Sequence, residues 1–89
     1  MFNAAYFPSD YKVTLDARKL NERGREQINY NVETFEKLGW GKFTIVEEGY
    51  NLVITGELTQ QLNAILINKQ LNATMSSKLF TQQDDSLYA

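Results

Sequence analysis

Cysteine and histidine are both absent from the 89 residues. The first absence excludes disulfides, thiolate nucleophiles and cysteine-ligated zinc. The second removes the commonest general base, the commonest metal ligand and the usual charge switch near neutral pH. Proline occurs once, at Pro8, and glycine five times. No apolar run approaches a membrane span, and no basic start leads into an apolar stretch. No contact with a membrane is expected, and the expected location is cytoplasmic. Charge of one sign is scarce too: nine basic and eleven acidic residues leave a net charge of −2. A general nucleic-acid binder would normally be basic.

What is present fits one small domain. Apolar residues make up 43% of the chain, close to the globular norm, so wholesale disorder is not expected. Fourteen residues are Asn or Gln, which makes the surface polar without strong charge. Residues 1–45 hold seven basic and six acidic groups, whereas residues 46–89 hold two and five.

Tyr11, Val13, Leu15 and Ala17 alternate with Lys12, Thr14 and Asp16, the period of a half-buried strand. Leu20, Gly24, Ile28, Val32, Phe35 and Leu38 recur at helical spacing. Asn21 suits the start of that helix and Gly39 its end. Ile28, Tyr30 and Val32 also alternate with polar neighbours, so residues 20–31 admit a strand as well. Residues 42–48 and 50–57 read as a hairpin around Gly49. Thr59 is the expected cap of a second helix over 59–74. Its expected inner face is Leu58, Leu62, Ile65 and Leu66, with Ala64, Ile67 and Leu71 along the edge.

The domain is read as residues 1–75, with an aromatic arm at 1–9. Residues 76–89 form a polar tail or an edge strand near Leu79. The predicted class is α+β: a small antiparallel sheet with two helices on one face, in the ferredoxin-like order βαββα(β). The alternative is a four-stranded meander with one helix.

Nothing in this sequence assembles catalytic machinery. Glu47 and Glu48 are adjacent on a strand and point to opposite faces. No serine has a histidine to activate it, and no calcium-loop or phosphate-loop spacing occurs. No catalytic residue, cofactor or metal ligand is expected, and the chain reads as non-enzymatic.

Binding residues are easier to nominate. Phe2, Tyr6, Phe7 and Trp40 lie in an arm and a turn, where aromatics serve as interface anchors. The competing reading folds the arm back and plugs the sheet end with Trp40. Glu47, Glu48 and Glu57 form a candidate acidic surface that could dock on a basic groove. Arg18, Lys19, Arg23 and Arg25 form a candidate nucleic-acid contact, with Glu22 and Glu26 within helical reach as neutralising partners. The outer sheet face offers no aromatic for bases to stack on.

The expected function is therefore a protein-binding module. In size, and in lacking cysteine and catalytic groups, it is similar to the small acidic inhibitors and adaptors of phages and mobile elements. On that likeness its partner would be a host nucleic-acid-handling complex. The alternatives are a subunit of a homo-oligomer or virion, and a nucleic-acid binder using the arginine cluster.

Overall fold

A computed structural model describes residues 7–82. Strand β1 (Ser9–Asp16) leads through a single 3-10 turn, Ala17–Lys19, into helix α1 (Glu22–Lys37). Strands β2 (Gly41–Glu48) and β3 (Asn51–Leu58) follow, then helix α2 (Asn63–Ser76). The sheet order is β1-β3-β2, with β3 antiparallel to both neighbours. This is the βαββα arrangement. Among the described residues the only trace of a fourth strand is one isolated bridge, Leu20 to Thr81.

Alternation sorts the sheet as its sequence implies. Tyr11, Leu15, Leu52, Ile54 and Leu58 are buried on one face, with Val13, Phe43 and Ile45 packed against them. The opposite face carries cross-strand rows such as Thr14-Val53-Val46 and Lys12-Thr55-Thr44, and it has no aromatic. Gly49 turns the hairpin with φ of 60°.

Helix α1 forms where the spacing places it. The Asn21 side chain accepts from the Gly24 amide at 2.8 Å, and Gly39 leaves the helix at φ 77°. Its inner stripe is Gly24, Ile28, Asn31, Val32 and Phe35; Leu38, expected on this face, is exposed. Asn31 is a buried amide that the apolar pattern did not mark. It donates to Thr74 Oγ1 of α2 at 3.1 Å and accepts from Gln27, so the two helices share a satisfied polar contact.

Helix α2 differs from expectation in both start and phase. It begins at Asn63, four residues later than predicted, and Leu62 provides no side-chain cap. The Thr59 hydroxyl is committed elsewhere, donating to the Gly39 and Trp40 carbonyls. The buried stripe is Ile67, Leu71 and Thr74, so Leu62, Ile65 and Leu66 face outward. An apolar run covering every helical direction gives no phase, and packing against α1 and β1 chooses it.

The described part of the C-terminal segment belongs to the domain. Residues 77–82 return to the start of α1, where the Phe80 carbonyl accepts from the Asn21 amide at 3.1 Å. The Gln82 amide donates to the Lys19 carbonyl at 2.7 Å. Gly24 makes this possible, because a Cβ there would collide with the Phe80 carbonyl.

Two predictions follow from the packing. Alanine normally favours a helix over glycine by up to about 1 kcal/mol. Gly24→Ala should instead destabilise by about 1–3 kcal/mol in urea unfolding, through the clash with Phe80. The Tyr11 hydroxyl donates to Asn68 of α2, and burial raises its pKa above the ordinary 10.0. The fold therefore favours the neutral phenol. That contribution is complete below pH 10 and disappears as pH rises through the raised value. Urea midpoints should fall as pH rises above about 10, and Tyr11→Phe should flatten that fall.

Candidate binding groove at the sheet end

At the end of the sheet where β2 begins and β3 finishes, two core-face positions carry no side chain. Gly41 stands opposite Leu58, and Gly56 opposite Phe43. A Cβ at Gly41 would strike the Glu57 carbonyl, and one at Gly56 the Lys42 carbonyl. The strands thus approach too closely for any larger residue. The Phe43 ring lies over both glycines and packs edge-on to Tyr11 and Phe35, at 6.0 and 6.3 Å between centroids.

Beside Gly41 lies an open groove of about 830 Å³. Its apolar walls are Pro8, Phe43 and Leu58; its polar rim is Glu36, Lys42, Glu57 and Thr59. A smaller hollow of about 250 Å³ adjoins it, sharing Pro8 and Glu57 and adding Ser9 and Asp10. Three carboxylates therefore surround this end of the sheet, against one ammonium. Glu36 is fixed in place, since its Oε2 accepts from the Phe43 amide at 2.9 Å. That bond covers a donor on the outer edge of β2.

The residues nominated from sequence are redistributed by the fold. Phe2 and Tyr6 lie outside the described residues. Phe7 is 46% exposed beside the groove, and its carbonyl accepts from the Gln61 amide at 3.0 Å. Trp40 is partly buried. Its ring stacks on Phe35 at 5.4 Å and 11°, closing the sheet end as the competing reading had it.

The acidic surface is split. Glu57 lines the groove, but Glu47 and Glu48 sit at the hairpin end, roughly 20 Å along the strands. Glu47 is paired there with Arg25, whose other nitrogen donates to the Ala17 carbonyl at 3.2 Å. Glu48 is exposed.

The arginine cluster is split as well. Arg18 binds Asp16 through two nitrogens at 3.1 Å and covers the Tyr50 ring at 4.8 Å. That contact holds the Asp16 carboxyl below, and the Arg18 guanidinium above, its ordinary pKa. Both partners are solvent-exposed, so the pair adds little stability. Lys19 and Arg23 are exposed. The neutralising partners of Arg18 and Arg25 are Asp16 and Glu47, not Glu22 and Glu26.

Sequence reasoning missed Pro8, Glu36, Lys42 and Phe43 as parts of one site. Pro8, Glu36 and the neighbours Lys42 and Phe43 come from three separate segments, which meet where β2 begins and β3 ends. Exposed Tyr50 and the outward stripe Leu62, Ile65 and Leu66 were also missed.

No described helix is long and apolar enough to cross a membrane, and no described cluster of acidic residues could hold a metal ion. No family model, curated protein or solved structure matches the chain.

The paired charges at the hairpin end yield a further expectation. Glu47→Ala should change stability by less than about 1 kcal/mol, because both partners remain open to solvent. A urea titration beside the parent chain measures this.

Proposed function

We propose that this domain is a binding module that holds a protein partner stoichiometrically through the groove at the Gly41–Leu58 end of the sheet. The observation that carries the reading is the groove itself: an apolar floor, an acidic rim and rigid walls on strands and a helix end. Small-molecule sites enclose most of their ligand. This one is open, and suits side chains presented by another surface. The exposed part of Phe7 extends the apolar area beside it.

An acidic rim favours a basic partner surface. Proteins that handle nucleic acid present such surfaces to phosphates, and a domain seated there would compete with the nucleic acid. An inhibitor or adaptor of such a protein is the functional class proposed. Direct nucleic-acid binding has less support, because Arg18 and Arg25 are engaged by Asp16 and Glu47.

Charge reversal at either end of the sheet tests the reading. Affinity capture from cells expressing the protein, read by mass spectrometry, should return a partner with the parent chain. Glu48→Lys at the far end should retain that partner, and Glu57→Lys should lose it. Equal capture by both variants would remove the groove from the function.

A further inference from the structure

We infer that the free edge of β1 pairs with the same edge of a second copy, joining two sheets into one about a two-fold axis; this is independent of the groove. The Ala17 amide donates to the Tyr50 carbonyl at 2.8 Å, in continuation of the β1–β3 register. Antiparallel partners exchange bonds at every second residue. Tyr11, Val13 and Leu15 therefore bond to β3, and Lys12, Thr14 and Asp16 turn their amides to the open side. Among the described residues, no side chain or other segment is hydrogen-bonded to the backbone of Lys12 or Thr14 there. The other outer strand, β2, differs, because Glu36 covers its Phe43 amide. A bare edge is a template for another strand.

Charge names the occupant and its register. A two-fold axis normal to the sheet keeps both pairs of helices on one face, and sets even-numbered residues of β1 opposite even-numbered ones. With Lys12 at the axis, Lys12 opposes its own copy. With Val13 there, Asp10 opposes Asp16 of the second copy. With Tyr11 there, Pro8 falls opposite Thr14, where an amide donor is needed and proline has none. With Thr14 at the axis, Lys12 opposes Asp16 of the second copy on both sides, and two threonines meet at the centre. Opposite charges and threonine pairs both favour cross-strand pairing. Asp16 already binds Arg18, but a carboxylate has acceptor sites to spare. Lysine on an edge strand normally deters pairing; here it selects the register.

Helix α2 adds apolar surface on the same side. It lies over β1, where Asn68 accepts from Tyr11, while α1 packs on β2. Thr74 is the α2 residue that bonds α1. Ile65, nine positions earlier, is half a turn round the helix, on the side away from α1, and is 65% exposed.

The chain has no native cysteine, so single cysteines report the register directly. At the axis, opposed Cα atoms are about 5.5 Å apart, within disulfide reach. Two copies of residue 12 would be roughly 13 Å apart. Under a glutathione redox couple, Thr14→Cys should give a covalent dimer, whereas Lys12→Cys and Thr44→Cys should stay monomeric. Sedimentation of the parent chain from micromolar to millimolar concentration should show a monomer–dimer equilibrium. The Lys12 and Thr14 amides should gain protection from hydrogen exchange over that range. Lys12→Glu should raise the dimer dissociation constant about tenfold or more, by placing like charges opposite Asp16. A strict monomer would overturn the inference, as would crosslinking through residue 12, or equally through 12, 14 and 44. Protection of both amides that does not change with concentration would assign the edge to the chain itself and also overturn it.

Discussion

Strand β3 is the constraint on which the rest of the molecule hangs. Among the described residues it is the only strand with neighbours on both sides, and both are antiparallel to it. Ile54 at its middle is fully buried and stands opposite Val13 and Ile45. A one-residue slip against either neighbour would turn that row toward solvent. The register that buries Ile54 also sets Gly56 against Phe43 and Leu58 against Gly41. The groove is thus a consequence of the same pairing that forms the core.

The two helices cover only the Ile54 face, and they hold one another by means that differ along their length. Near the middle, Asn31 and Thr74 supply a buried polar contact. At the start of α1 the segment that follows α2 packs close, with the Phe80 carbonyl against Gly24. Buried polar groups of this kind reward one alignment of the helices over its neighbours, because sliding would leave an amide without a partner. The apolar residues of α2 cannot supply that discrimination, since they lie on all sides.

How much of this could be read from sequence depended on whether a signal was local. Strand alternation, the Asn21 cap, the Gly39 exit and the Gly49 turn each depend on neighbouring residues, and each was legible. The phase of α2 was not, because Ala64 to Ile67 is apolar in every direction. Thr59 looked like a cap, yet its hydroxyl serves carbonyls twenty residues away in sequence. The charge pairs were misjudged for the same reason: Arg25 reaches across the fold to Glu47 rather than along its own helix. The groove was least legible of all. It is marked by side chains that are missing, and glycine in a strand signals close approach without saying what lies beside it.

Glu36 gives this end of the molecule a second property. An outer strand with bare amides can recruit another copy's strand, and ribbons then grow by repetition. A carboxylate hydrogen-bonded to the Phe43 amide occupies one of those recruiting positions and places charge beside it. The side chain that shapes the groove is therefore also a gatekeeper against fibre growth along β2.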